Sequence, residues 1–184
     1  MDGIPVLGFA AYSGTGKTTL LEKVVLELKK KGLRIAVIKH DGHDFDIDHE
    51  GKDSWRFSQA GADISIVASA KKVAYMEQRS MEFSQVISMV TDVDLILVEG
   101  YKREPISQIG ICRRATGKGF TAGLERYVAV VTDLEERELI EMEGAAIQRP
   151  KFAFDEAEKI AEFIVEYKDS FTRNVTILNG KQES

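Results

Sequence analysis

Cysteine is almost absent from this chain. Its 184 residues include one cysteine, Cys112, so no internal disulfide can form. A single thiol in a chain of this length favours a reducing compartment, because stable disulfides are typical of oxidising ones. Residues 1–14 carry no basic region of the kind that begins a secretory signal, and no apolar run reaches the ~18 residues of a membrane-spanning helix. These absences predict a cytoplasmic protein without a membrane segment.

An excess of positive charge is also lacking. The chain has 25 Lys and Arg against 30 Asp and Glu, which gives a formal net charge of −5. This balance argues against a broad electrostatic affinity for nucleic acid or anionic lipid, because both attract basic faces. Hydrophobic residues make up 43% and charged residues 30%, a mix typical of globular proteins. We therefore expect a single nucleotide-binding domain over 1–184, with no nucleic-acid or membrane partner.

Strand-like and helical patterns alternate along the chain. Residues 4–11 form a nearly continuous apolar run, typical of a central parallel strand that is covered on both faces. A glycine-rich loop, a helical pattern over 20–28 and a second strand at 34–39 follow. This order predicts an α/β fold of the P-loop NTPase class, with a mostly parallel sheet and helices on both faces. Further strands are predicted at 64–68, 73–76, 95–99 and 128–131, helices at 54–60, 83–90 and 155–164, and a strand with a frayed tail over 172–184.

The strongest motif joins the first strand to the first helix. Residues 11–18, Ala-Tyr-Ser-Gly-Thr-Gly-Lys-Thr, match the phosphate-binding pattern G-x-x-x-x-G-K-[ST], with alanine in place of the first glycine. Glycines here let the backbone adopt positive φ and turn its N–H groups inward, and the helix that follows points its positive end at the same place. Lys17 would reach the β- and γ-phosphates, and the Thr18 hydroxyl would ligate Mg²⁺. A glycine-rich turn that only caps a helix is the alternative, but the flanking strand and helix favour a nucleoside triphosphate site. The predicted nucleotide-binding residues of this loop are Ser13, Gly14, Thr15, Gly16, Lys17, Thr18 and Thr19.

An acidic residue on a neighbouring strand should complete the Mg²⁺ site. Glu99 ends the apolar run 95–98 and precedes Gly100, so it emerges at the carboxyl edge of the sheet, where such folds bind ligands. A surface acid at the end of a strand is the alternative. Asp92 and Asp94 lie at the opposite end of that strand and are poorer candidates. Thr18 and Glu99 are therefore the predicted metal ligands.

All the histidines of the chain fall in one acidic stretch, residues 40–53, with six acids against one base. They are His40, His43 and His49. A zinc site is one interpretation, but the histidine spacings match no helical His-x-x-x-His face and Cys112 is far away in sequence. A solvated loop is another. We favour a nucleotide-responsive loop in which Asp41, next to the end of the second strand, attends Mg²⁺ or the attacking water, and we predict catalytic roles for Lys17 and Asp41.

Three blocks of sequence together resemble one known family. The blocks are AYSGTGKTTL at 11–20, KHDGHDFDIDHEGKDSWRFSQAGA at 39–62 and LILVEGYK at 95–102. The middle block is the most specific, and the resemblance is to the MobB family of molybdopterin-guanine dinucleotide biosynthesis. It implies a small P-loop protein that binds GTP with Mg²⁺, pairs as a homodimer and hydrolyses GTP feebly. It also implies an adapter or nucleotide-delivery role beside MobA, the guanylyltransferase that joins GMP to molybdopterin.

Thr132 and Asp133 end a buried strand and are candidates for recognition of the base. In guanine-selective P-loop proteins an aspartate at such a place accepts hydrogen bonds from N1 and N2 of guanine, which adenine does not offer. The alternative is an aspartate that caps the helix predicted from Glu135 onward. GTP rather than ATP is the expectation, and it rests mainly on the family resemblance.

The stretch 101–119 carries five bases against one acid. It is either an anion-binding surface, for a pterin phosphate or an acidic partner, or a solvated hairpin. This stretch also motivates an alternative function, a small-molecule or nucleotide kinase with an arginine-bearing lid. A third alternative is a docking module that has lost turnover. Cys112, within a strand-like part of this stretch, is expected to be a packed small residue rather than a nucleophile.

Overall fold

Eight strands and six α-helices make up the described part of the chain, residues 3–42, 45–144 and 146–179, in a computed structural model. The strands are β1 Val6–Ala10, β2 Ile35–Lys39, β3 Ile64–Ala68, β4 Val73–Glu77, β5 Leu95–Glu99, β6 Ser107–Cys112, β7 Tyr127–Thr132 and β8 Lys151–Phe152. The helices are α1 Lys17–Lys30, α2 Asp53–Gln59, α3 Phe83–Ser88, α4 Glu136–Glu143, α5 Ala157–Tyr167 and α6 Asn174–Asn179. The chain divides into two compact units, residues 1–40 with 83–184, and residues 41–82.

A six-stranded sheet forms the centre of the first unit, in the order β2-β5-β1-β6-β7-β8. Every neighbouring pair in it is parallel. The strands of its middle, β1 and β5, are buried along their whole length, as expected of strands that helices cover on both faces. The predicted fold class, a mostly parallel sheet in a P-loop type of α/β architecture, is confirmed.

Alternate side chains of β1 enter the cores on the two faces of the sheet. Leu7 and Phe9 belong to a core with apolar residues of α1 and α5. Val6 packs on the opposite face with residues of α3 and α6, and Ala10 packs there with Leu139 of α4. Full burial of each large apolar side chain stabilises the fold by about 1.5–3 kcal/mol. The helices therefore lie on both faces, as predicted.

The strand order places three strand ends side by side. From β1 the chain passes through α1 to β2 on one side, and it later runs from β5 on that side to β6 on the other. The carboxyl end of β1 thus lies between those of β5 and β6, where the direction of strand addition reverses. Open α/β sheets bind their ligands at such a switch point.

The second unit, residues 41–82, contains α2 and an antiparallel hairpin of β3 and β4. Cross-strand partners Ile66 and Tyr75 lie on one face of this hairpin, with Ile64 and Val73 on the same face. All four side chains are exposed, Ile66 by 60% and Val73 by 66%. The hairpin therefore carries an apolar exposed face. A single domain over 1–184 stays a prediction.

Two elements differ from the sequence predictions. Residues 107–112 form a strand that is buried from Gln108 onward, so this part of the basic stretch is not a solvated hairpin. Residues 174–179 form α6 rather than a strand, after a single bridge between Pro5 and Arg173. The helix predicted from residue 155 begins at Ala157, and the carboxylate of Glu156, just before it, accepts the Ala153 N–H at 2.8 Å. Among the described residues no helix has both the length and the apolar composition to span a membrane.

Candidate functional site

The loop between β1 and α1, residues 11–16, has the backbone of an anion cradle. Gly14 and Gly16 have φ of 82° and 83°, a conformation that side chains disfavour. Thr15 is buried, and its hydroxyl donates to the Tyr12 carbonyl oxygen at 3.0 Å, which ties the loop to itself. Gly16 precedes α1 and no described side chain caps this helix. The first N–H groups of α1 are therefore available to an anion.

Glu99, at the end of β5, meets the two polar side chains that follow this loop. Its Oε1 accepts a hydrogen bond from Lys17 Nζ at 2.7 Å and one from Thr18 Oγ1 at 2.9 Å. Burial, the largest single influence on the Glu99 carboxyl, disfavours its charged form, whereas the hydrogen bonds from Lys17 and Thr18 favour that form. Together with the nearby charges of Lys17 and Lys39, they hold the pKa of the Glu99 carboxyl below its usual range. The carboxylate is therefore charged at neutral pH.

The turn after Glu99 holds this carboxylate in place. The His40 N–H donates to the Glu99 carbonyl oxygen at 2.8 Å. Gly100 has φ of 97°, and a Cβ there would lie 2.9 Å from the Cβ of His40. The ring of Tyr101 packs between those of His40 and Phe83, with centroid distances of 4.5 and 4.4 Å. Close packing around Gly100 thus fixes the direction in which β5 ends.

Thr18 and Glu99 fit a Mg²⁺ ion. Neighbouring ligands of octahedral Mg²⁺, each 2.0–2.1 Å from the ion, are about 2.9 Å apart. The Thr18 hydroxyl and the Glu99 carboxylate oxygen have this separation, 2.9 Å. The Lys17 ammonium contacts the same carboxylate oxygen, so a positive charge already lies beside it. The predicted metal ligands are thus brought together.

Two lysines flank the aromatic ring at the start of the loop. The ammonium groups of Lys102 and Lys118 lie 5.3 and 5.2 Å from the centroid of the Tyr12 ring. Burial, followed by the charges of Lys17 and Lys118, lowers the pKa of Lys102. Among the described residues neither Lys102 nor Lys118 is paired with a carboxylate. This crowding of like charges favours the anion-binding interpretation of the basic stretch.

Arg113, one of the five bases of the stretch 101–119, directly follows β6, and the sequence did not predict its place beside the phosphate loop. Its Nη1 would lie 2.9 Å from a Cβ placed on Gly16, and its guanidinium carbon is 4.0 Å from the Phe154 ring centroid. The available signal was the strand-like run that ends at Cys112, which a parallel sheet would bring beside β1.

Asp133 lies at the end of β7, two strands away from β1. Its Oδ1 accepts the Arg114 N–H at 2.7 Å, and the buried Thr132 hydroxyl accepts the Leu134 N–H at 3.1 Å. Asp133 does not cap α4, because Glu135 does so in a capping box with Glu138. The alternative role of Asp133 as that cap is therefore wrong, and base recognition stays a prediction.

The acidic stretch belongs almost entirely to the second unit, which begins with Asp41. His43 and Asp44 lie outside the described residues, so the role of that part of the loop stays a prediction. Within 3–42, 45–144 and 146–179, no three His, Cys, Asp or Glu side chains are grouped so that they could hold a metal ion. Asp48 accepts hydrogen bonds from the His49 N–H and the Ser54 hydroxyl, which link this loop to the start of α2.

Comparison with known proteins gives consistent relatives. Residues 6–133 match the family described as molybdopterin guanine dinucleotide synthesis protein B, MobB. The chain is 42% identical over 134 residues to the molybdopterin-guanine dinucleotide biosynthesis adapter protein of Haemophilus influenzae, covering 71% of this chain and 75% of the relative. It is 38% identical over 172 residues to the protein of the same name from Escherichia coli, covering 89% and 93%.

Solved structures share the fold. A crystal structure of molybdopterin-guanine biosynthesis protein B has a TM-score of 0.65 and 26% identity, covering 88% of this chain and 98% of that one. The crystal structure of Bacillus subtilis MobB has a TM-score of 0.70 at 21% identity, covering 89% and 97%. The chain therefore shares the fold of these proteins.

Proposed function

Since this chain belongs to the molybdopterin guanine dinucleotide synthesis protein B family, we propose that it is a GTP-binding adapter of molybdenum cofactor maturation. It binds GTP with Mg²⁺ at residues 11–18, hydrolyses it slowly and assists a MobA-type guanylyltransferase in the cytoplasm. The observation that carries the proposal is the convergence of Lys17 and Thr18 on one carboxylate oxygen of Glu99, beside an anion cradle.

The charges of the site support the proposal that it binds the phosphates of a nucleotide. A triphosphate meets the N–H groups of residues 13–19 and the ammonium of Lys17, and Thr18 with Glu99 would hold Mg²⁺. A bound Mg²⁺ ion would neutralise part of the negative charge of the phosphates. When the triphosphate binds, the Lys17 ammonium must leave the Glu99 carboxylate and contact phosphate oxygens instead. This exchange costs little, because one ionic partner replaces another.

Guanine selectivity is assigned to Asp133, supported by Thr132. An aspartate accepts hydrogen bonds from both N1 and N2 of guanine, whereas an asparagine amide offers a donor to one of those positions. Asp133→Asn should therefore lower the affinity for GTP at least tenfold and raise that for xanthosine triphosphate, whose C2 position carries an acceptor. Unchanged affinity for both nucleotides would remove Asp133 from the site.

Hydrolysis proceeds by in-line attack of water on the γ-phosphate. Lys17 and the loop N–H groups stabilise the charge that develops, and Asp41 is the residue we assign to the water. Asp41→Asn should lower the hydrolysis rate about tenfold or more and leave GTP affinity within twofold. An equal loss of affinity and rate would indicate that Asp41 acts in binding instead.

The adapter role predicts association with a partner enzyme. The relatives named adapter proteins carry this part of the proposal. A pull-down of purified MobA-type guanylyltransferase, with GTP, with GDP and without nucleotide, tests it directly. Association in at least one state is expected, and no association in any state would contradict the adapter role. Adding molybdopterin to the same assay tests whether that compound binds this chain.

A homodimer is supported by the apolar face of the β3–β4 hairpin. Two-stranded sheets are marginally stable alone, and contiguous exposed apolar side chains mark contact surfaces. Ile66→Asp should convert a dimer to monomers in light scattering at micromolar concentration. Glu50→Gln, at an exposed position elsewhere in the same unit, is the control and should stay dimeric. A wild-type protein that is monomeric throughout this range would exclude the proposed dimer.

Phosphate transfer by a kinase is the second candidate, because Lys102 and Lys118 place positive charge beside Tyr12, at the start of the phosphate loop. Incubation with labelled GTP or ATP and either nucleoside monophosphates or pterins separates the two functions, with hydrolysis as the reference rate. An adapter with feeble GTPase activity gives no transfer above hydrolysis. Transfer much faster than hydrolysis would reverse the ranking.

A further inference from the structure

Arg113 occupies the side of the phosphate loop that is opposite to Glu99. β5, which ends in Glu99, and β6, which precedes Arg113, are the two parallel neighbours of β1. The loop after β1 therefore has a carboxylate from one neighbouring strand and a guanidinium from the other.

The backbone at Arg113 is fixed by several contacts. Its carbonyl oxygen accepts hydrogen bonds from the Thr116 N–H at 3.0 Å and the Thr116 hydroxyl at 2.7 Å. The next residue, Arg114, is tied by its N–H to Asp133 Oδ1 at 2.7 Å. The side chain of Arg113 thus starts from an ordered turn rather than from a free loop.

The guanidinium is positioned by an aromatic ring. Its central carbon lies 4.0 Å from the centroid of Phe154, a distance typical of a cation stacked on a ring. Stacking uses the face of the guanidinium and leaves its N–H groups directed outward in the plane, where they can bind phosphate oxygens in pairs. Among the described residues no carboxylate pairs with Arg113.

The guanidinium also reaches the cradle itself. Its Nη1 would lie only 2.9 Å from a Cβ on Gly16. Backbone N–H groups of such a loop surround the α- and β-phosphates, whereas the loop lysine reaches the β- and γ-phosphates. We propose that Arg113 is a phosphate-binding residue of this site, which contacts the α- and β-phosphate oxygens of a nucleoside di- or triphosphate beside Gly16. This inference rests on the proposed nucleotide binding.

Arg113→Gln, Arg113→Lys and Phe154→Leu test the assignment by titration with GTP and GDP in the presence of Mg²⁺. Because a charge-assisted hydrogen bond is lost, Arg113→Gln should weaken both nucleotides at least tenfold and by similar factors. Arg113→Lys should retain part of the affinity. Phe154→Leu keeps the charge but removes the stack, and a two- to fivefold loss is expected. Arg137→Gln, on the exposed face of α4, is the control and should stay within twofold of wild type.

Inorganic pyrophosphate as a competitor shows whether the lost contact is to phosphate. Its inhibition constant should rise in Arg113→Gln by the same factor as the dissociation constant of GDP. Arg113→Gln that is folded by circular dichroism and binds GTP, GDP and pyrophosphate like wild type would overturn the assignment. If that variant does not fold, wild-type affinities in Phe154→Leu overturn it. If Lys17→Ala loses nucleotide binding and Arg113→Gln does not, the Arg113 assignment fails and the proposed function stands. A wild type that binds no nucleotide would refute both the assignment and the proposed function.

Discussion

Lys17 Nζ and Glu99 Oε1 lie 2.7 Å apart, in an ion pair whose side chains are only 16% and 8% exposed. The pair links the residue after the phosphate loop to the end of the neighbouring strand β5. The Lys17 ammonium is the group that would bind the oxygens of a triphosphate, and the Glu99 carboxylate is the group that would bind Mg²⁺. The ion pair therefore fixes the positions of both charged groups at the edge of the sheet.

The pair makes stability depend on pH. The pKa of Glu99 is lowered in the fold, so its contribution is complete above the usual carboxyl range and is lost as pH falls toward the lowered value. Glu99→Gln should reduce the free energy of unfolding by about 1–3 kcal/mol at pH 7, because Lys17 loses a charged partner. This deficit should shrink below about pH 4. Urea unfolding of both proteins at several pH values measures it.

Glu141→Gln is the control for this experiment, because that carboxylate is 65% exposed in its pair with Arg137. Exposed pairs contribute little, so its effect should stay below about 1 kcal/mol. A deficit of Glu99→Gln that does not change between pH 7 and pH 3.5 would contradict the coupling of Glu99 ionisation to folding.

Gly16→Ala should impair both folding and binding. Its φ of 83° costs an alanine about 1–2 kcal/mol, and the new Cβ would lie 2.9 Å from Arg113 Nη1. Gly32→Ala is a matched control, because it has φ of 84° with open space around its Cβ and lies after α1, away from the loop. We expect similar losses of stability for the two variants, and weaker nucleotide binding for Gly16→Ala alone. Equal nucleotide affinities for the two variants would contradict this account of the loop.

Cys112 should be inert in the native protein. Burial, followed by the charges of Glu143 and Asp133, raises the pKa of its thiol to about 11. The Sγ–H also donates to the Lys118 carbonyl oxygen at 3.1 Å. Labelling with an aromatic disulfide at pH 8 should be at least a hundredfold slower than in urea, because the thiolate is the reactive form. Complete labelling within minutes in native buffer would show that the end of β6 opens readily.

Local apolar patterns in the sequence are sufficient to predict the central strands of the first unit. Residues 95–99 are continuously apolar up to Glu99, and a parallel strand of this kind has few other places to lie. The pairing of Lys17 and Thr18 with Glu99 then follows from the shared edge of β1 and β5. Strand β6 was harder, because Ser107, Gln108 and Gly110 interrupt its apolar pattern. The position of β6 in the sheet depends on close packing at Gly110, because a Cβ added there would lie 2.8 Å from the Tyr127 ring.

The position of Arg113 could not be predicted for the same reason. Its approach to Gly16 requires that β6 pair with β1, whereas charge counting places it in a general basic stretch. The strand predicted at the start of 172–184 is also wrong, because Val175 and Ile177 suit a strand by propensity but lie in α6. Burial of Ile177 in the core beneath α3 favours the helix instead. Nonlocal packing decided both cases.

Guanine nucleotide binding through Lys17 is measured by a titration of the wild type and Lys17→Ala with fluorescent GTP and ATP in the presence of Mg²⁺. We expect saturable binding of GTP by the wild type, at least tenfold weaker binding of ATP, and GTP binding at least tenfold weaker in Lys17→Ala than in the wild type. Unchanged GTP affinity in Lys17→Ala would refute the site, and equal or tighter binding of ATP by the wild type would refute its selectivity for guanine.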